Sequence, residues 1–515
     1  MDVFMLFFGF ACLVLCSRLS VPTHAQILSA ILFLSLLSFI IDLLCVYQYF
    51  FGLAELKTLL TRTEPMDPGF RSALLTRVLS RRVFGTFTLP NSLAGFVCVI
   101  LPLQLYLVYS AFSLFPSNGT ERTRYAEGIL GEIFKKAYVR AVLVLQIALS
   151  LIILALTQSF GGWLCLFVSM FLLICFWIRE KKVPLRPLLL PLILFALAIS
   201  GGMLWISKSR GFALLNFSVY ENPIVLRWLN FKVALSIFRD FPWSGVGLGN
   251  YGTINPLYQQ AAVNVTQYTH NTLLQLLSEC GMPFLVFGLL LMPILVCRWF
   301  RNAGKSKLIC DSPPLLRVCL AASISAWVLH NLIDINLYFP SLGGLGVFLI
   351  GLYLALVKPS NKGGIHGGFQ FPSVLSRMLL YYLAASLALL VVYAGKNYWV
   401  QSLTSLAIDR AESKDYPGAE AYLKQALRWE DRDARLIFLY SNFRLKNSFD
   451  SGSLDQTTLL ELKKNFLRAA ELDPYNSEYH FQLSKILNAL GDSEAASLEK
   501  KRAQMLFPAE PRYKR

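Results

Sequence analysis

The feature that most limits what this chain can become is its succession of apolar runs, segments of roughly 17 to 25 residues with few charges that recur before residue 400. About 20 helical residues cross the roughly 30 Å of bilayer hydrocarbon, where no water can satisfy an open backbone, so such runs fold as spanning helices. They can be read at 3–18, 27–51, 91–114, 139–157, 160–178, 187–206, 272–297, 315–333, 340–357 and 378–399. The expectation is an all-α polytopic membrane protein with about ten transmembrane helices over residues 1–399 and a different kind of domain over 400–515. At 55% hydrophobic and 15% charged residues in 515, a soluble multidomain chain is excluded.

Short cytoplasmic loops collect Lys and Arg. Segments 115–140 (Arg122, Arg124, Lys135, Lys136, Arg140), 179–186 (Arg179, Lys181, Lys182, Arg186) and 298–317 (Arg298, Arg301, Lys305, Lys307, Arg317) carry them, whereas 158–159 and 334–339 carry none. Alternation then puts loop 207–271 and everything after residue 399 on the outer face. Loop 52–90 also falls outside despite Lys57, Arg62, Arg71, Arg77, Arg81 and Arg82. Long loops follow the charge rule poorly, and these cations suit an anionic lipid headgroup. After residue 400, 18 Lys/Arg meet 17 Asp/Glu, leaving 30 against 14 in the membrane part, so no basic nucleic-acid-binding tail exists. The ten cysteines have neither disulfide nor zinc spacing, and no outward carboxylate or His grouping suggests a metal site.

Beyond residue 400 the apolar positions become periodic and the charges mixed. Ala469–Pro474 and Ala503–Pro508 align at an offset of 34, with Tyr479, Leu483, Leu487, Gly491 and Ala495-Ala496 between them. A degenerate earlier unit runs through Ala407, Ala411, Tyr416, Ala419, Leu423 and Ala426-Leu427. This spacing resembles tetratricopeptide helix hairpins, which bind a partner on a concave surface and carry no acid/base chemistry of their own. An unrelated helical bundle is the alternative.

The chemistry-bearing residues cluster in the outer loop. Residues 223–240 read as an amphipathic helix opened by Pro223. At 100° per residue, Lys232 and Arg239 lie about 20° apart and Arg227 about 120–140° round from them. With Trp228, Leu229, Phe231 and Phe238 on its other surfaces, the helix suits the membrane interface, and its cations suit either anionic lipid in general or a diphosphate. Pro242, Gly245, Gly247 and Gly249 follow as a turn in which backbone N–H groups can approach an anion. His270-Asn271 then opens the next apolar run. An imidazole there either accepts a proton as general base or caps and anchors the helix. Arg82-Val83-Phe84-Gly85-Thr86-Phe87 with Pro90-Asn91, Thr157-Gln158-Ser159-Phe160-Gly161-Gly162-Trp163, and His330 with Asp334 complete the set. His330 and Asp334, four apart, share a helix face and can hydrogen-bond locally, for catalytic support or for packing. Asp42, inside the second run, reads as a packing or water-contact group.

Together, over roughly residues 27–357 and most densely over 223–285, these segments resemble the O-antigen ligase and polymerase superfamily, bacterial membrane enzymes that transfer glycans from a polyprenyl diphosphate carrier. The resemblance implies a glycosyltransferase-C-like, multi-pass protein of the inner membrane, with residues 400–515 periplasmic. It implies His270 as catalytic base. Arg82, Arg227, Lys232 and Arg239, with Gly247, Gly249 and Asn271, would bind the donor, and Asn91, His330 and Asp334 would support the site. No metal, nucleotide or other cofactor is implied. Donor would be a polyprenyl diphosphate-linked glycan, acceptor a lipid A core, another glycan or a protein hydroxyl, and the tail would engage a protein partner. Phe160 stands where the superfamily pattern has Arg, which removes one cation. Superfamily members usually carry several more spans before the segment matched by 27–51, so an N-terminally short chain is expected. A protein O-oligosaccharyltransferase and a chain polymerase are the rival enzymes, and a lipid-linked glycan transporter is the non-enzymatic rival.

Overall fold

The computed structural model describes residues 24–62, 78–113, 132–134, 136–181, 200–202, 204, 208, 222–259, 266–286, 314–356 and 373–513. Among the described residues every regular element is helical. They form two compact units: one comprises Met1–Thr61, Gly69–Gly249 and Tyr268–Gly364, the other Arg62–Pro68, Asn250–Gln267 and Ile365–Arg515.

In the first unit α1 (His24–Tyr47) continues through a π-turn at Gln48–Gly52 into α2 (Leu53–Arg62). It is followed by α3 (Pro90–Ser113), α4 (Ala137–Thr157), α5 (Phe160–Lys181) and α6 (Pro223–Asp240). After α7 (Tyr251–Tyr258), which belongs to the second unit, come α8 (Thr272–Cys280), α9 (Pro314–Asn331) and α10 (Pro340–Leu356). Among the described residues three helices are long and apolar enough to cross a bilayer: Ala25–Thr58, Pro90–Phe112 and Ala137–Thr157. Phe160–Cys175, Leu315–Asn331 and Pro340–Tyr353 are apolar but shorter. These six helices fall on six of the ten expected runs, and the helix Ser373–Glu412 covers a seventh, at 378–399. The run expected at 272–297 is broken, because α8 stops at Cys280, Gly281 takes a left-handed φ of 67° and a helix restarts at 282–286. The run at 3–18 and most of that at 187–206 lie outside the described residues.

Helix α3 is the core of this unit and packs against α1, α4, α5 and α9, with Leu93 through Leu101 buried in its middle. Around it α1 and α4 turn Phe33, Ile40, Leu145 and Ile152 outward, as lipid-facing helices do. Burial of apolar surface does not drive helices together in lipid; close packing and hydrogen bonds do. A Cβ on Gly162 would lie 2.7 Å from that of Ala94, so glycine lets α5 approach α3, and Cys98 Sγ–H donates to the Gly162 carbonyl at 3.1 Å. A buried polar seam joins α1, α3 and α4: Ser150 Oγ donates to Asp42 at 2.7 Å, Gln104 Nε2 to Ser150 Oγ at 3.2 Å, and Ser35 Oγ to Gln146 at 3.0 Å. Asp42 is therefore a packing group of the bundle.

The second unit is a succession of helices, each packed on the next: α11 (Ser373–Glu412), α12 (Tyr416–Trp429), α13 (Ala434–Asp450), α14 (Gln456–Leu472), α15 (Ser477–Ala489) and α16 (Ser493–Leu506). Because α11 runs unbroken through residue 400, the boundary expected there contains no linker. Local geometry recurs along the stack. Backbone N–H groups of Glu430, Asp473 and Phe507 close helices on the carbonyls of fully buried Ala426, Ala469 and Ala503, with φ between −145° and −136° in all three. Asp415, Asp433, Asp455, Asn476 and Asp492 cap the following helices through their side chains, each such cap contributing about 1 kcal/mol. Leu462, Phe466, Leu483, Ile486 and Leu487 form the core of the last hairpins.

Candidate active site

Helix α6 begins where Asn222 accepts from Ile224 N at 2.9 Å and Pro223 fills the first turn, whose missing N–H has no helical partner to lose. Its buried face carries Asn230, Val233, Ala234 and Ile237 against α8. Past Asp240 the chain turns back. Val246 N donates to Ser278 O and Gly247 N to Glu279 O at 2.9–3.0 Å, and Met282 N donates to Pro242 O at 2.7 Å. Gly245 lies in this clasp at φ 62°, where a Cβ would stand 2.3 Å from the Glu279 carbonyl carbon. Two of the N–H groups expected to approach an anion are engaged within the protein: Gly245 N donates to Phe241 O and Gly247 N to Glu279 O. Gly249 follows at φ 80°, exposed.

The opposite end of α8 holds His270. Asn271 caps the helix by accepting from Leu274 N at 3.0 Å and donates through Nδ2 to Leu332 O at 2.8 Å, so it is a strap between α8 and the loop after α9. His270 itself sits at φ 57°, which costs a non-glycine residue about 1 kcal/mol. Its neighbours hold it there: Thr269 N donates to Gln275 Oε1 at 2.8 Å, and Thr269 Oγ1 bonds both Asn271 O and Asn271 N. Gln275 in turn donates to Glu279 at 2.7 Å, and Tyr338 Oη donates to the same buried carboxylate at 2.9 Å.

Helix α9 ends at Asn331, and Asp334 lies three residues beyond, buried to 1% exposure. The His330–Asp334 bond expected from their spacing is replaced by a longer-range pair, because the helix has unwound before Asp334. His270 Nδ1 is 3.2 Å from Asp334 Oδ1, and Arg227 Nη2 is 3.7 Å from Asp334 Oδ2. Ile335 N donates to Oδ1 at 2.9 Å. Burial alone would raise the Asp334 carboxyl; the His270 hydrogen bond and the charges of His270, Arg227 and His330 outweigh it and hold the group below the usual carboxylate range. An ionised Asp334 only accepts, so the hydrogen between them belongs to His270 Nδ1, and in a neutral imidazole Nε2 is the free acceptor.

The other expected site residues are dispersed around this cluster. His330 is buried beside Asn336, where a Cβ on Gly95 would meet Asn336 Nδ2 at 2.5 Å and His330 Nδ1 at 3.0 Å. Arg82 ties two helix ends together, donating from Nε to Thr157 O at 2.8 Å and from Nη2 to Asn91 at 3.0 Å. Lys232 stands over the Trp228 ring at 5.7 Å and Arg239 bonds exposed Asp240 at 3.3 Å, both on the side of α6 away from Asp334. Only Arg227 among the α6 cations joins His270. Thr272, Gln275, Glu279 and Tyr338 lie in the stretches that carry the resemblance but were assigned no role there, although Gln275 and Glu279, four apart inside an apolar run, were a legible signal of a buried polar pair.

A family model described as O-antigen ligase matches residues 145–292, under a third of the chain but spanning α6, the glycine turn and His270-Asn271. No curated protein matches the chain. The family match supports the O-antigen ligase superfamily, and with the apolar helices it points to a membrane enzyme of ligase or polymerase type. Asp334, which completes the cluster, lies outside the matched stretch.

Proposed function

We propose that the chain is a glycosyltransferase of the bacterial inner membrane that moves a glycan from a polyprenyl diphosphate carrier to an acceptor hydroxyl on the outer face. One observation carries this reading: His270 Nδ1 lies 3.2 Å from a buried carboxylate that Arg227 also faces. Asp334 holds the imidazole so that Nε2 takes the proton of the acceptor hydroxyl. The oxygen forms its bond to the anomeric carbon as the bond from that carbon to the diphosphate oxygen breaks, and polyprenyl diphosphate departs with the electron pair. Arg227, 24% exposed at its side chain, is placed to bring positive charge to the leaving group. Residues 400–515, with their recurring cap geometry and 34-residue offset, serve as a tetratricopeptide-like periplasmic stack that recruits an acceptor or partner protein.

The test is transfer by purified protein in proteoliposomes containing a polyprenyl diphosphate-linked glycan. His270→Ala is expected to lower the rate by about 10²–10⁴, the range for loss of a general base, with folding and donor binding kept. Full transfer by that variant would remove His270 from the mechanism. The product identifies the acceptor class: glycan on lipid A core marks a ligase, lengthened carrier-linked chains a polymerase, and glycosylated polypeptide a protein transferase.

A further inference from the structure

Helix α6 has a second face that the cluster leaves unused. At 100° per residue, Ile224, Leu235, Trp228, Arg239 and Lys232 fall within an arc of about 80°, roughly opposite the buried Asn230, Val233 and Ile237. All five are exposed, Trp228 by 56% and Arg239 by 79% at its side chain, and the stripe continues into Phe241 and Trp243, the latter 77% exposed. Aromatic and aliphatic groups thus alternate with two cations along one edge.

The depth of this edge follows from what α6 touches. Arg227 reaches Asp334 just past the end of α9. The same end of the bundle holds the start of α3 and the end of α4, joined through Arg82 to Asn91 and Thr157 O, and the start of α5, where a Cβ on Gly161 would lie 2.7 Å from Ile333. The Arg227 end of helix α6 therefore lies at the level where the spanning helices leave the hydrocarbon. Tryptophan and long cationic side chains are what that level selects. Lys232 is exposed with its ammonium over the Trp228 ring at 5.7 Å, so a cation and an indole share one place on this edge, the pairing that the headgroup level favours.

We propose that this stripe of α6 is a bilayer-docking surface that rests on the headgroups of anionic phospholipid, with Trp228, Leu235 and Trp243 inserted and Lys232 and Arg239 on the phosphates. The occupant is set by charge and shape: two cations among apolar side chains fit an anionic lipid surface rather than a protein groove. The effect is to fix the height of α6, and with it Arg227, relative to the membrane. This inference needs only that the chain is a membrane protein and is independent of the proposed reaction.

The experiment places p-benzoylphenylalanine at Leu235 in the full-length protein, held in nanodiscs of phosphatidylethanolamine and phosphatidylglycerol without any glycan donor. Irradiation followed by mass spectrometry is expected to give phospholipid adducts enriched in phosphatidylglycerol. Lys232→Glu with Arg239→Glu should lower the phosphatidylglycerol share at least about fivefold, the effect expected of a single surface cation. The photo-residue at Ile237, on the buried face, should instead link to the chain's own peptides. Adducts from position 235 to this chain or to a second copy, or a lipid ratio indifferent to the charge reversal, would overturn the proposal.

Discussion

Asp334 faces the Arg227 guanidinium and the His270 imidazole from a site that is 1% exposed, so its charge is worth most where water is scarce. The sign of its acid response follows. Because the folded carboxyl is held below the usual range, its stabilisation is complete above the unfolded value, about pH 4, and is lost as pH falls toward the folded one. The difference in thermal midpoint between the wild-type protein and Asp334→Asn should be constant above roughly pH 5 and shrink below roughly pH 4. A difference that grew on acidification would mean that Asp334 is not ionised in the folded protein. Part of this scale was legible: His270 stood out as one of five histidines, opening an apolar run, and Arg227 as one of three cations on the helix 223–240. The partner of His270 was not, since His330 and Asp334 are close in sequence while Asp334 and His270 are 64 residues apart, and only the unwinding of α9 before Asp334 decides between them.

In the proposed mechanism helices α6 and α8 act together, since the first supplies Arg227 and the second follows directly on His270-Asn271. Their far ends are held by the clasp between Pro242–Gly247 and Ser278–Met282. The glycine run was visible in the sequence, but an anion cradle and a backbone clasp call for the same residue type, and nothing local distinguishes them. Gly245→Ala separates the two readings. A methyl there would meet the Glu279 carbonyl carbon at 2.3 Å and add strain at a positive φ, so the variant should lose about 1–3 kcal/mol in thermal unfolding. Unchanged stability with weakened donor binding would restore the cradle. The orientation of α6 was readable from periodicity: the roughly 120–140° between Arg227 and the Lys232–Arg239 pair corresponds in the structure to a site-facing and an exposed side.

At the scale of the whole molecule, class was legible and boundaries were not. Apolar run length announced a helical membrane protein, yet length alone could not show that Gly281 breaks the run at 272–297 or that α11 carries a helix straight through residue 400. The 34-residue offset pointed to the recurrent caps at Asp473 and Phe507, because small buried alanines at equivalent places fix equivalent helix ends. The proposed function rests on a single pair, His270 with Asp334, in the unit whose core is α3. The most direct measurement is a double-mutant cycle on single-turnover glycan transfer by the reconstituted full-length protein, using His270→Ala, Asp334→Asn and both together. The account predicts that Asp334→Asn slows transfer about 10²-fold when His270 is present and has almost no further effect when it is absent. Independent, multiplying losses in the double variant would contradict it.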